Sequence, residues 1–206
     1  HAFQHWRDGR ADPILAGQIH RDGAATRPGM PWEASMYQPR TMTAIVCHGP
    51  KDYRVEAVGK PEPRRRELVL KIDACGICAS DCKCWSGANM FWGGQNPYVK
   101  PPVIPVHEFF GRVEEIGEEA AEHFGVEVGD RVIAEQIVPC DKCRYCRSGK
   151  YWMCEVHNIF GFQKQVADGG MAEYMRIPET ARVHKIPEEI SLEDAALHGG
   201  ELAVWS

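Results

Sequence analysis

Glu67-Leu68-Val69-Leu70-Lys71-Ile72-Asp73-Ala74 runs directly into Cys75-Gly76-Ile77-Cys78-Ala79-Ser80-Asp81. The first eight residues place Leu68, Leu70, Ile72 and Ala74 on one face and Glu67, Lys71 and Asp73 on the other. That is the period of two of a half-buried strand. The next seven put two thiols, a hydroxyl and a carboxylate just past its end. Further strands are expected at Thr43–Cys47, at Phe109–Gly117, in Val128–Ile133 after its Gly129-Asp130 turn, and at Gly170–Ile177, closed by Pro178. The clearest helical signal is late: Ser191 with Asp194 three residues on opens an expected helix through about Leu197. Many short strands at irregular spacing, without an internal repeat, predict a mainly β fold shaped as a partly open barrel.

The 206 residues suffice for one good core and a short appendage. An apolar share of 44%, a charged share of 26% and a net charge of −5 are ordinary for a soluble domain. The densest basic patch, Arg64-Arg65-Arg66, is flanked by Glu62 and Glu67 and reads as a solvated turn, so no nucleic-acid partner is expected. No apolar run approaches the roughly 20 residues of a membrane span, and no signal peptide opens the chain. A cytoplasmic protein without a membrane partner is therefore expected. The chain starts at His1, and Met30, Met36 and Met42 are all possible starts. Residues 1–41, rich in Arg, Asp, Gly and Pro and without a sustained period, read as a disordered leader. Residues 42–197 read as the domain, and 198–206 as a truncated or divergent end. Neither G-x-G-x-x-G nor a phosphate-binding P-loop occurs, and an α/β dinucleotide-binding domain is expected to be absent.

Nine cysteines carry most of the chemical information: Cys47, Cys75, Cys78, Cys82, Cys84, Cys140, Cys143, Cys146 and Cys154. An odd count with tight clusters and no export signal favours metal over disulfides. Cys140, Cys143 and Cys146 stand at two-residue gaps, and Cys154 follows after seven residues. One loop folding back presents three sulfurs to a metal and a short connection brings the fourth, which is a closed tetrahedral set for structural zinc. Lys142, Arg144, Arg147 and Lys150 surround it and favour thiolate.

A second set is more dispersed. Cys78 follows the opening strand, and His107-Glu108, after Pro105-Val106, heads another. Thiolate and imidazole beside carboxylates suit an open, catalytic zinc site. Ser80 lies close enough to Cys78 to reach a bound alkoxide. Asp81 is placed to orient His107 by accepting its other N–H.

Taken together these motifs resemble the N-terminal, chaperonin-10-like catalytic domain of the zinc-dependent medium-chain alcohol and polyol dehydrogenases. The resemblance is carried in order by Gly76-Ile77-Cys78-x-Ser80-Asp81, by Pro105-x-His107-Glu108-Phe109-x-Gly111-x-Val113, by Val128-Gly129-Asp130-Arg131-Val132, by the four-cysteine lobe and by Gly169-Gly170-Met171-Ala172-Glu173-Tyr174. Phe91–Pro97, Ala134–Pro139 and Tyr151–Glu155 resemble the erythritol and threitol dehydrogenase branch. The resemblance implies that Cys78 and His107 bind catalytic zinc, with Glu108 as an exchangeable ligand. Ser80 relays the alcohol proton, and Cys140, Cys143, Cys146 and Cys154 hold structural zinc. It further implies hydride transfer from a small polyol or secondary alcohol to NAD or NADP, and a homo-oligomer at full length.

The sequence departs from the family at three places. Val106 stands where the family usually has Gly, and a β-branched side chain strains a backbone that needs positive φ. Lys83 replaces a relay histidine of many alcohol dehydrogenases. The polyol branch completes its site with a glutamate in Ala-Leu-x-Glu-Pro. Here Ala196-Leu197 is followed by His198-Gly199-Gly200-Glu201, so Glu201 is the expected remaining ligand, with His198 the alternative. Three rival readings are a zinc-binding module with no turnover of its own, a zinc-free reductase of the same superfamily, and a disulfide-rich secreted domain.

Overall fold

A computed structural model of the chain describes residues 41–163 and 166–191. The leader up to residue 40, the helix expected beyond Ser191, and His198 and Glu201 lie outside the described residues. In chain order the strands and helices are β1 (Thr41–Gly49), β2 (Asp52–Gly59), β3 (Leu68–Gly76), α1 (Ala79–Ser86), α2 (Asn89–Trp92), β4 (Glu108–Ile116), α3 (Ala120–Phe124), β5 (Arg131–Ala134), β6 (Ile137–Val138), α4 (Arg144–Arg147), β7 (Asn158–Ile159), β8 (Tyr174–Ile177) and β9 (Val183–Lys185).

The centre is a five-stranded antiparallel sheet in the order β8-β3-β4-β5-β9. Its inner face buries Leu68, Leu70, Phe109, Val113, Val132, Met175 and Ile177 in one cluster. Phe109 meets Phe160 edge to face at 5.2 Å, a favoured geometry for aromatic quadrupoles. The β1-β2 hairpin closes over one side. It is joined to the rest by the Ala44–Ala172 and Cys47–Val103 bridges, with Ile45 N–H donating to Met171 O at 2.8 Å. The fold is thus mainly β, as expected, and wraps into a partly open barrel. Among the described residues no helix is long and apolar enough to cross a membrane.

Several local expectations need correction. The Gly170–Ile177 strand shortens to β8, because Ala172 contributes only one bridge, to Ala44. The strand expected behind the Gly129-Asp130 turn is present as β5, from Arg131. β2 gave no sequence signal because its alternation is out of phase with burial: Val55 is 74% exposed, while Glu56 and Val58 are half-buried. The helix α1 gave none because it buries only Asp81 and Cys84 and carries no apolar stripe. Arg64-Arg65-Arg66 is indeed a turn, with Glu67 N–H on Arg64 O at 3.0 Å and Arg65 paired to Glu119 at 2.6 Å.

Gly111 lies on β4 opposite Ile72, where an added Cβ would stand 2.3 Å from Lys71 O. Gly111→Ala should therefore cost about 1–3 kcal/mol by overpacking. Gly59→Ala, with nothing within 4 Å of the added atom, should stay within about 0.5 kcal/mol. Urea denaturation of the two variants checks the contrast.

Candidate metal centres and active site

The β3-β4 register builds the first centre. Gly76, the last residue of β3, pairs with Glu108, the first of β4. Cys78 is two residues past the one and His107 is one residue before the other, so residues far apart in sequence arrive at one sheet edge. Ligand atoms of Cys78, His107 and Glu108 all lie within 4.8 Å of one another. Ser80, in the first turn of α1, sets its Oγ 3.4 Å from His107 Nε2. The His107 ring is 3% exposed and tilts against Phe162 at 5.7 Å, and Phe162 stacks on Phe91 at 5.0 Å. Sequence reasoning named Phe91 only within the Phe91–Pro97 stretch and did not single out Phe162, since a lone Phe reads as ordinary core.

Asp81 does not do quite what was expected of it. Its Oδ1 stands 3.6 Å from His107 Nδ1, beyond hydrogen-bond distance. Its Oδ2 instead accepts the Cys78 N–H at 2.9 Å and caps α1. Capping competes for the carboxylate because the first turn of a helix has unsatisfied N–H groups. Asp81 Oδ1 and His107 Nδ1 are both buried without a hydrogen-bond partner. Burial pushes the Asp81 carboxyl up to about 6, against the pull of the Cys78 N–H, and burial pushes the His107 imidazole down. An imidazole grouped with a thiol and a carboxylate, with a second carboxylate beside its Nδ1, is the donor chemistry of a zinc site. The residues present fit that metal.

The approach to His107 is strained. Val106 has φ 79 and is buried, and positive φ in a β-branched residue costs of order 1–3 kcal/mol. The backbone segment at Val106 runs between two glycines. A Cβ on Gly169 would fall 2.1 Å from Val106 O, and one on Gly161 would fall 2.6 Å from Val106 N. Gly169 was visible in the sequence as part of a motif, but its role as a backbone contact was not.

The second centre is the lobe between β6 and β7. Ligand sulfurs of Cys140, Cys143, Cys146 and Cys154 lie within 4.8 Å of one another, and all four are free thiols. Cys143–Cys146 is 3.5 Å and Cys140–Cys146 is 4.0 Å. These values bracket the sulfur spacing of about 3.8 Å that a tetrahedron with 2.3 Å zinc–sulfur bonds requires. Cys143 caps α4 and accepts the Cys146 N–H. That N–H, with others beside it, holds the Cys143 thiol down to about 6. Burial and the neighbouring sulfur push Cys146 up to about 12. Four crowded sulfurs cannot all ionise without a cation among them, so this donor set also fits zinc.

Two predictions follow from the first centre. The folded value of Asp81, about 6, stands above its ordinary 3.8. The folded metal-free chain therefore binds this proton more tightly than the unfolded one, and stability falls as pH rises from about 4 through 6. Asp81→Asn should flatten that slope and raise the melting temperature near pH 7, read by thermal melts in chelator. At position 106, Val→Gly loses about 1.5–3 kcal/mol of burial but relieves strain. It should destabilise less than Val132→Gly, at an equally buried strand position, by about 1–3 kcal/mol in chemical denaturation.

The comparisons agree with this geometry. Residues 64–188 match the alcohol dehydrogenase GroES-like domain. The chain is 48% identical over 160 residues to an erythritol/L-threitol dehydrogenase of Mycolicibacterium smegmatis, covering 77% of this chain and 44% of that protein. A 2R,3R-butanediol dehydrogenase from Bacillus subtilis superposes with a TM-score of 0.62 at 32% identity, over 76% of this chain and 43% of its own. An alcohol dehydrogenase of Escherichia coli CFT073, solved with NADH, gives 0.61 at 32% identity, over 77% and 42%. The chain thus spans less than half the length of the relatives it matches. With its fold and both cysteine constellations in place, it belongs to the alcohol dehydrogenase GroES-like domain family, among the zinc-type alcohol and polyol dehydrogenases.

Proposed function

We propose that this chain is the zinc-binding catalytic portion of an oxidoreductase that moves a hydride between a small polyol, erythritol or threitol, and NAD or NADP. The observation that carries the reading is the convergence of Cys78, His107 and Glu108 within 4.8 Å, with Ser80 Oγ beside the ring. Cys78, His107 and Glu108 would hold the catalytic metal, and Cys140, Cys143, Cys146 and Cys154 the structural one. Glu201 is the proposed further ligand, with His198 the alternative. A zinc bound there would act as a Lewis acid toward the substrate hydroxyl.

The remaining work falls to the protein. Ser80 accepts the hydroxyl proton. Lys83, exposed on α1, offers an ammonium without a lone pair where many alcohol dehydrogenases carry a histidine, so the proton passes from Ser80 to solvent. The Asp81 carboxylate, 3.6 Å from His107 Nδ1, favours a proton on that nitrogen by its charge and so leaves Nε2 free. Phe162 and Phe91 wall the ring and keep water from its flank. Nine free thiols support a reducing, cytoplasmic setting.

A second reading is that these 206 residues bind zinc without turnover. Coverage of only 44% of the Mycolicibacterium smegmatis relative favours it for this chain taken alone. After dialysis the chain should retain zinc firmly in the lobe, hold it more weakly at Cys78 and His107, and reduce no NAD with erythritol or threitol. Two tightly held zincs together with polyol-dependent NAD reduction would overturn that expectation. The catalytic assignment is tested by fusing this domain to the remainder of the Mycolicibacterium smegmatis enzyme. The fusion should oxidise erythritol or threitol, and Cys78→Ser or His107→Asn should lower kcat at least about a hundredfold, as expected when a catalytic metal is lost. A folded, zinc-loaded fusion that is inert toward every polyol would refute it.

A further inference from the structure

The four-cysteine lobe has almost no core of its own. Between residues 140 and 157 only Cys154 is buried, and neither α4 nor the turn at Tyr151–Met153 buries a residue. Apolar burial therefore does little to hold this segment against the barrel. Beyond the β6-β7 pairing at its base, what joins it is a polar node at the end of β5. Glu135 is 5% exposed. Its Oε1 accepts the Tyr151 hydroxyl at 2.8 Å and lies 3.2 Å from His184 Nε2 on β9.

The Glu135 N–H donates to Arg182 O at 2.9 Å. The Arg182 guanidinium in turn donates to Asp141 Oδ1 at 2.7 Å and lies over the Tyr151 ring at 5.1 Å. Tyr151 is three residues before Cys154, and Asp141 directly follows Cys140. At the far end Tyr98 donates to His157 O at 2.6 Å. Two barrel residues, Glu135 and Arg182, thus grip the lobe beside its first and last cysteines.

We propose that Glu135, acting through Tyr151 and supported by Arg182–Asp141, is a latch that fixes the lobe to the barrel and sets how fast the lobe gives up its metal. The inference rests on the lobe being a zinc site. Cys140 and Cys154 supply sulfurs from opposite ends of the segment, so the set closes only while both ends stay in place. A hydrogen bond to a buried carboxylate is among the stronger ties a protein makes, and this one joins the barrel to the turn that presents Cys154. Opening the latch frees that end and exposes the metal to exchange. Glu135 and Tyr151 are positioning residues here and touch no metal.

Zinc release to a chromogenic chelator tests this, in chains that all carry Cys78→Ser so that bound zinc is confined to the lobe. Tyr151→Phe and Glu135→Gln should each release zinc about tenfold faster than the parent, as loss of one such bond implies. The double variant should be little faster than either single, because both break one interaction. Glu67→Gln, which weakens the part-buried Glu67–Arg176 pair of 2.6 Å elsewhere in the barrel, should lower the melting temperature without changing the release rate. Should Glu135→Gln fail to fold, Tyr151→Phe, which removes one oxygen, carries the test. Unchanged release in Tyr151→Phe, or equal acceleration in Glu67→Gln, overturns the latch while leaving the zinc lobe intact. A parent chain holding no cysteine-bound zinc overturns the zinc reading of the lobe, and the latch with it.

Discussion

The pairing of β3 with β4 is the constraint on which the rest of the molecule depends. Its register sets Gly76 opposite Glu108 and Cys75 opposite Phe109. Side chains alternate faces along a strand, so a shift of one residue would turn Phe109 outward and carry His107 away from Cys78. The same pairing holds the centre of the five-stranded sheet, with β8 on one side and β5 on the other. Core and candidate active site are therefore specified by one ladder of hydrogen bonds: the apolar side chains that fix the register also place the polar ones at its end.

The two constellations differ in how their donors are delivered. The lobe takes four sulfurs from one short segment, and its geometry is largely local. The other set takes a thiol from the start of α1 and an imidazole and carboxylate from the start of β4, and it exists only once the sheet has formed. The difference matches their chemistry. A closed set of four thiolates leaves no place for substrate, whereas a mixed set at a sheet edge can leave a position open. The unpartnered Asp81 Oδ1 and His107 Nδ1 belong to the second kind. Low dielectric makes such orphaned groups costly, and a protein tolerates them where a cation or ligand compensates.

Strain around His107 follows the same logic. Val106 holds a positive φ that glycine would adopt freely, while Gly161 and Gly169 leave room for its backbone on both sides. The buried valine fills apolar space that glycine would leave empty, and that packing offsets part of the backbone cost.

Much of this was legible in the amino-acid sequence. Alternation marked β3, and runs of β-branched and aromatic residues marked β1 and β4, because each packs much of its length into the core. The spacing of Cys140, Cys143, Cys146 and Cys154 marked the lobe because its ligands are close in sequence. Resemblance to the zinc-type dehydrogenases joined Cys78 to His107 before any distance was known. The sequence could not show that Asp81 Oδ2 would be taken by the Cys78 N–H, since a carboxylate near both a helix start and a histidine can serve either. Nor could it show the node of Glu135, Tyr151, His184 and Arg182, whose members carry no common motif. Local pattern determines which segments become strands and which cysteines cluster, because those depend on near neighbours. Register and loop packing decide which distant polar groups meet, because only the assembled sheet brings them within a few ångströms of one another.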